Sequence, residues 1–166
     1  MFKKETLGFT LIELLIVIAI IGILAVAFLP SILGAPAKGR DTARIADLQK
    51  IQKILVNANL EGKSYPDDTD KCIVSGFGGA DADYYIQQFG GALPVDPSPE
   101  TTAPYACTTK GTYGYVKKPG NYNFALSARV ELFTNANADC SKVKDGLLSL
   151  PIEANSGSWC YAILNQ

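Results

Sequence analysis

The chain has 166 residues and a formal net charge of −1, which leaves room for one domain of ordinary size together with an anchor. Such a balanced charge gives no basis for binding nucleic acid or acidic lipid through bulk electrostatics. Histidine is absent, which excludes Ser-His-Asp and Cys-His catalysis and most zinc sites. Because the sequence offers no readable nucleophile–base pair, we expect no enzyme, no cofactor and no metal site.

The N-terminal segment is a candidate membrane span. Leu14–Ala37 contains no charged residue, and a helix of its length measures about 36 Å, enough to cross a hydrocarbon core of about 30 Å. An ordinary cleaved signal has a shorter apolar region, of about 7–15 residues. Lys3 and Lys4 precede the span, so the positive-inside rule predicts a cytoplasmic N-terminus and an exported remainder. Glu13 lies at the edge of the span, and anchoring alone gives this carboxylate no role.

The residues on both sides of Phe9 form a specific pattern. Lys3–Gly8 is a short basic leader that ends in glycine, and Glu13 is the fifth residue counted from Phe9. An unbroken apolar run follows. This segment resembles the start of bacterial type IV pilins and of the related pseudopilins of type II secretion.

The resemblance implies a processing site and a set of partners. A prepilin peptidase is expected to cleave between Gly8 and Phe9 and to methylate the new N-terminus, and Gly22 and Pro30 match positions where pilin helices loosen in the filament. The implied partners are the membrane before assembly, other pilin subunits and an inner-membrane assembly platform. The implied location is a single-pass cell membrane and then an extracytoplasmic, cell-surface filament.

Glu13 has a physical role in such a filament. Cleavage creates an α-amino group on Phe9 with a reference pKa near 8, so it is largely cationic at neutral pH. In a bundle of apolar helices an unpaired carboxylate is costly, and the nearest cation is the Phe9 amine of a neighbouring subunit. We therefore predict that Glu13 pairs with that amine and helps to set the register between subunits.

The predicted domain organisation has three parts: a leader at 1–8, a transmembrane and assembly helix at 9–37, and an exported globular domain at 38–166. Gly34, Pro36 and Gly39 lie at the last boundary. Since proline clashes with the preceding helical turn and disfavours helix at the residue before it, we expect a kink or break there.

A second, amphipathic helix is predicted from Asp41, as its N-cap, to about Leu60, with Gly62 as the stop. Its apolar stripe consists of Ile45, Leu48, Ile51, Leu55 and Ala58. Its charged residues are expected to face solvent for the most part: Arg40, Arg44, Asp47, Lys50 and Lys53.

The remainder of the domain is predicted to be short elements joined by loops. Residues 62–79 are expected to be loop, and 81–89 a short helix that turns Tyr85, Ile86 and Phe89 inward. Strands are predicted at 113–117, 122–132 and 159–164, the second with one buried face. The fold class is therefore α+β, a long N-terminal helix packed against a small antiparallel β-meander.

Four cysteines follow the apolar segment: Cys72, Cys107, Cys140 and Cys160. An even number of widely spaced cysteines beyond a membrane span indicates two disulfides in an oxidising compartment, and free buried thiols are the alternative. Of the three possible pairings we predict the one without crossing, Cys72–Cys107 and Cys140–Cys160.

Two segments of the sequence partly match known binding sites, one for calcium and one for single-stranded DNA. Asn135–Asp139 has the alternating oxygen ligands that open a calcium loop, but Cys140 stands where that loop requires glycine. Tyr113, Tyr115 and the lysines at 117 and 118 offer stacking and charge for single-stranded DNA, yet such aromatics are common in strands. We therefore predict no metal and no nucleic acid.

The function that the sequence favours is a structural filament subunit. The alternatives are a monomeric membrane-anchored extracytoplasmic binding domain, which uses the helix only as a tether, and a DNA-uptake (competence) pilin.

Overall fold

A computed structural model describes residues 8–67, 72–73, 81–98, 111–117, 123–140, 143 and 159–166. The chain divides into two compact units, Met1–Pro36 and Ala37–Gln166. Among the described residues, the first unit contains the first helix and the first two residues of the second, and the second unit contains the sheet and the remaining helical elements.

Helix α1 spans Leu11–Leu33 and follows the non-helical residues Gly8–Thr10. Its segment Leu11–Leu29 has a mean hydropathy of 3.0, so it is long and apolar enough to cross a membrane by length and composition. The expected break in the helix is confined to Gly34. Pro36 lies in the first turn of the next helix, where a missing N–H group costs no hydrogen bond.

Helix α2 spans Ala35–Leu60, so it begins six residues earlier than predicted. The prediction that Asp41 is its N-cap is wrong, because Asp41 lies inside the helix and is buried. The face of α2 that is buried in the domain consists of Asp41, Arg44, Leu48, Ile51, Leu55 and Ala58. The apolar stripe is confirmed from Leu48 onward, whereas Ile45 is half-buried.

Arg44 was expected to face solvent, and this prediction is wrong. Its side chain is 0% exposed. Sequence periodicity assigns a charged residue to solvent because burying a lone charge is costly. That reasoning fails here because carboxylates from distant parts of the chain surround the guanidinium.

The α+β class is confirmed. Among the described residues, five strands form one antiparallel sheet: β1 Cys72–Ile73, β2 Tyr113–Lys117, β3 Phe124–Arg129, β4 Ala138–Asp139 and β5 Trp159–Asn165. Their order is β1-β2-β3-β5-β4, so the C-terminal strand lies between β3 and β4 rather than at the end of a simple meander. Strand β1 lies in a segment predicted to be loop, and β3 is shorter than predicted.

One face of the sheet packs against the apolar half of α2. The largest core cluster joins that half to aromatic and aliphatic residues of the strands, among them Tyr113, Phe124 and Leu126. Helix α3, Ala82–Gln88, adds Tyr85, and Phe89 follows it. Both side chains point inward as predicted.

The opposite face of the sheet is also buried, which corrects the prediction of one buried face. Ala125 and Ser127 of β3, expected to be the solvent side, are 1% and 2% exposed. Ala125 belongs to a second cluster with Val116, Ala138, Val143 and Ala162. Val143 comes from the segment between β4 and β5, so this segment contributes to covering the second face.

Candidate functional site

The predicted cleavage junction lies in accessible, non-helical chain. Gly8, Phe9 and Thr10 are all exposed, and Phe9 has 90% of its surface free. The first helical residue is Leu11, two positions beyond Phe9. The bond between Gly8 and Phe9 is therefore outside the hydrogen-bonded helix.

Glu13 has a partner within its own helix. Its Oε2 atom accepts hydrogen bonds from the backbone N–H and the hydroxyl of Thr10, both at 2.8 Å. The backbone N–H of Glu13 in turn donates to the Thr10 hydroxyl oxygen at 3.3 Å. Since Thr10 precedes the first helical residue and Glu13 is the third, the two residues form a reciprocal capping box.

This contact corrects the view that anchoring leaves Glu13 without a role. The Thr-x-x-Glu spacing of the capping box is readable in the sequence, directly before the apolar run, but the sequence analysis missed it. Both hydrogen bonds from Thr10 go to Oε2. Among the described residues no donor reaches Oε1, so this oxygen is available to a further donor.

The rest of α1 presents apolar side chains on every side. No part of its Leu11–Leu29 segment is buried by the described part of the chain. A methyl group placed on Gly22 would meet no atom within 4 Å. Pro30 lies within the same helix. A helix that is apolar all round must be buried in lipid or among other helices. Since the described residues do not cover α1, we expect it to need a partner beyond the described part of the chain.

The second unit contains a buried charge cluster, which we call the Arg44 network: Arg40, Arg44, Asp41, Asp96 and Glu131. Arg44 lies at its centre. The Nε and Nη2 atoms of Arg44 donate to the two carboxylate oxygens of Asp96 at 2.8 and 2.9 Å. The Nη1 atom of Arg44 donates to Asp41 at 2.7 Å and lies 2.9 Å from Glu131. Burial disfavours the Arg44 cation, but these hydrogen bonds raise its pKa above the ordinary value.

Asp41 connects the helix to the segment after β3. Its oxygens accept hydrogen bonds from the backbone N–H groups of Glu131 and Leu132 at 2.9 and 3.0 Å, and from the Asn135 amide at 2.9 Å. Three donors in addition to Arg44 therefore satisfy this fully buried carboxylate.

Glu131 and Arg40 are the partly exposed members of the network. Arg40 donates to both carboxylate oxygens of Glu131, at 2.7 and 2.6 Å. These hydrogen bonds, against an opposing effect of burial and with help from Arg44, lower the pKa of Glu131 to about 2. The carboxylate is therefore ionised at neutral pH.

One of the predicted cysteine pairs lies within the described residues. Cys140 and Cys160 form a disulfide with an S–S distance of 2.04 Å that links the residue after β4 to β5. Cys72 lies in β1, but Cys107 is outside the described residues, so the Cys72–Cys107 pairing stays a prediction.

The amides considered as calcium ligands serve the fold instead. The Asn137 side chain pairs with the backbone of Ala162, donating at 2.9 Å and accepting at 2.7 Å. It thereby continues the β4–β5 pairing by one residue. The Asn135 amide is bonded to Asp41. Among the described residues there is no group of three or more His, Cys, Asp and Glu side chains that could hold a metal ion.

The aromatics considered for DNA stacking are core residues. Tyr113 and Tyr115 are 0% and 2% exposed, and their hydroxyls donate to Asp47 and to the Pro66 carbonyl. Burial, together with the bond to Asp47, raises the pKa of Tyr113 above its ordinary value. Neither ring presents a face to a base, so that interpretation of these residues is wrong.

The N-terminal segment is an exposed apolar helix that opens with a Thr-Leu-Ile-Glu capping box. The family model of the prokaryotic N-terminal methylation motif matches residues 4–29 of this segment. Over part of its length the chain is also similar to type IV pilins and to type II secretion system core protein G.

Three relatives are similar to part of this chain. Over 62 residues, 37% of this chain and 47% of the relative, the chain is 44% identical to the type IV wide pilus major component PilA4 of Thermus thermophilus. It is 33% identical over 66 residues (40% and 46%) to type II secretion system core protein G of Pseudomonas aeruginosa. It is 42% identical over 60 residues (36% and 39%) to a fimbrial protein of Pseudomonas aeruginosa.

The matches span less than half the length of each of these relatives. No solved structure matches the chain.

Proposed function

We propose that the chain is a structural subunit of a type IV pilus or pseudopilus filament. A prepilin peptidase cleaves it between Gly8 and Phe9 and methylates Phe9. Helix α1 holds the subunit in the membrane with its N-terminus cytoplasmic and residues 38–166 exported, and then polymerises with other pilin subunits at an inner-membrane assembly platform. The observation that carries the proposal is α1 itself, which is apolar on every side and uncovered by the described chain. In this role the exported domain is structural and performs no catalysis.

Glu13 separates a filament subunit from a tethered monomer. Lipid alone is sufficient to bury the apolar side chains of α1, so a tether needs no acid at its start. In the free subunit Thr10 satisfies Oε2 of Glu13, which lowers the cost of carrying a carboxylate at the membrane boundary. Oε1 has no partner among the described residues and is available to the Phe9 amine of an incoming subunit.

Two substitutions separate the charge of Glu13 from its capping role. Glu13→Gln retains a side chain that can complete the capping box but carries no charge, whereas Glu13→Val removes both. We expect both variants to insert in the membrane, because the apolar run is unchanged, and neither to yield filaments that can be sheared from cells. Thr10→Ser, which keeps the hydroxyl, is the matched control and should assemble. Intact mass should show a wild-type chain that starts at Phe9 and carries one added methyl group.

The outcomes distinguish the hypotheses. If Glu13→Gln assembles and Glu13→Val does not, the capping box rather than the charge is required. If both assemble at normal abundance, the charge-pair mechanism is wrong although the family assignment stands. A wild-type chain that starts at Met1 and forms no filament would favour the tethered monomer.

A further inference from the structure

The buried face of α2 changes its chemistry along its length. Its six buried residues follow one another at intervals of three and four positions, which places them on one side of the helix. Asp41 and Arg44, the first two, are charged, and the four from Leu48 to Ala58 are apolar. The same helix is therefore attached to one domain by two different kinds of contact.

The apolar contacts alone do not fix the axial position of α2 relative to the rest of its domain. A slide of three residues moves the helix by about 4.5 Å. The four sites that now hold Leu48 to Ala58 would be filled by other residues of the helix. If the helix advances, so that each site is filled by the residue three positions earlier, the sites hold Ile45, Leu48, Gln52 and Leu55. If it retreats, so that each site is filled by the residue three positions later, the sites hold Ile51, Ile54, Ala58 and Glu61. Three of the four residues are still apolar in either case, so burial of hydrocarbon changes little.

The charged contacts do not tolerate such a slide. The guanidinium of Arg44 lies between 2.7 and 2.9 Å from oxygens of Asp96, Asp41 and Glu131. Asp96 belongs to a loop far along the chain, and Glu131 to the segment after β3. A displacement of about 4.5 Å breaks the bidentate pair with Asp96 and leaves buried charges unpaired. One further polar contact, from the Tyr113 hydroxyl to Asp47 at 2.7 Å, lies one turn along and is a single hydrogen bond.

We propose that the contacts of Arg44 with Asp96, Asp41 and Glu131 set the axial register of α2, so that the domain occupies one fixed axial position along the helix. Buried ionic groups contribute less to net stability than to choosing one packing among several, because their partners must be met at specific positions. Every copy of the domain would then present the same surface at the same distance along α2. This inference rests on the packing of the domain and does not depend on the proposed function.

The test is a double variant that removes the central ion pair while each remaining carboxylate keeps hydrogen-bond donors. Arg44→Met with Asp96→Asn keeps the net charge of the chain. Asp41 then retains its three N–H donors, and Glu131 retains Arg40. Arg40→Met is the matched control, because it makes the same substitution one turn earlier in the same helix and leaves Arg44 with all its partners.

Two half-buried positions on opposite sides of the apolar stripe, Gln52 and Ile54, report the register. Each is replaced by cysteine in turn, and thiol labelling is followed on the full-length chain in detergent. An advance by three residues buries position 52 and exposes position 54, and a retreat does the reverse. We expect the two labelling rates to change in opposite directions by about tenfold, as a register populated at about 0.1–10% becomes a major one.

Each other outcome overturns the proposal. If both positions label faster in the double variant, the network supports general stability and not register. If neither rate changes, the apolar stripe is sufficient to fix the helix. If Arg40→Met produces the same opposite changes, the effect does not come from the central Arg44 contacts.

Discussion

Helices α1 and α2 are consecutive and similar in length, 23 and 26 residues, but their burial is opposite to what polarity alone suggests. Helix α1 is almost wholly apolar, and none of its candidate span is buried. Helix α2 contains many charged residues, yet six of its side chains are buried, and two of these, Asp41 and Arg44, carry ionisable groups. Whether a residue is buried depends on a complementary partner, and the partners of α2 lie within this chain. The described residues supply no such partner for α1.

The largest expected effect contrasts one leucine from each region. Leu126 of β3 is 0% exposed, whereas Leu24 of α1 is 50% exposed. Leu126→Ala removes hydrocarbon from the core and leaves a cavity, so it should lower the free energy of unfolding of the domain by about 2–5 kcal/mol. Leu24→Ala makes the same change on α1 and should leave that free energy unchanged. Denaturant unfolding of the full-length protein in detergent, followed by near-UV circular dichroism, measures both.

A fall in domain stability for Leu24→Ala comparable to that for Leu126→Ala would contradict the comparison. It would mean that Leu24 contributes to the stability of the domain.

The next effect concerns acid, which should act on the charged part of α2. The folded-state pKa of Glu131 is about 2, below its ordinary value of 4.5, because of its hydrogen bonds to Arg40 and Arg44. A lowered pKa means that this contribution to stability is fully present above about pH 4.5 and is lost as the pH falls toward 2. Glu131→Gln should therefore be less stable than the wild type at pH 7.

The two stability curves should converge between pH 4.5 and 2, because the protonated wild type and the glutamine variant are then equivalent in charge. Thermal unfolding across this range tests the point. A constant difference between the curves down to pH 2 would show that the charge of Glu131 contributes nothing.

Helices and strands were predictable from the sequence where their apolar residues follow a single periodicity and pack only against other apolar groups. The apolar run of α1 and the stripe from Leu48 to Ala58 needed only spacing and hydropathy. Strand β2 was located correctly because it is a compact run of β-forming residues.

The sequence failed where a residue depends on a distant segment. Arg44 was assigned to solvent because Asp96 and Glu131, 52 and 87 positions further along, are not visible to a local pattern. Strand β4 has only two residues and exists through its pairing with β5. By contrast, the contact of Thr10 with Glu13 spans three residues and was predictable from the capping-box spacing.

The smallest expected effect compares one glycine from each helix. Gly39 of α2 and Gly22 of α1 both have open space where a Cβ would lie. Gly39→Ala should raise the free energy of unfolding of the domain by about 0.5–1 kcal/mol, because alanine loses less backbone freedom in a helix. Gly22→Ala gains the same helix propensity in α1, but Gly22 lies outside the compact unit 37–166, so the unfolding of the domain should not change.

The same two substitutions should affect filament yield in the opposite pattern to domain stability. From the resemblance to pilins, Gly22 is predicted to let the helix loosen on assembly, and we expect a stiffer, bulkier residue there to oppose both loosening and close helix contact. Gly22→Ala should therefore reduce the filaments sheared from cells while the membrane pool of subunits stays normal, and Gly39→Ala should assemble like the wild type. Because no atom of the described chain surrounds a Cβ at position 22, a loss of filaments with an unchanged monomer points to contacts between subunits. Normal filament yield from Gly22→Ala would show that loosening at this glycine is not required.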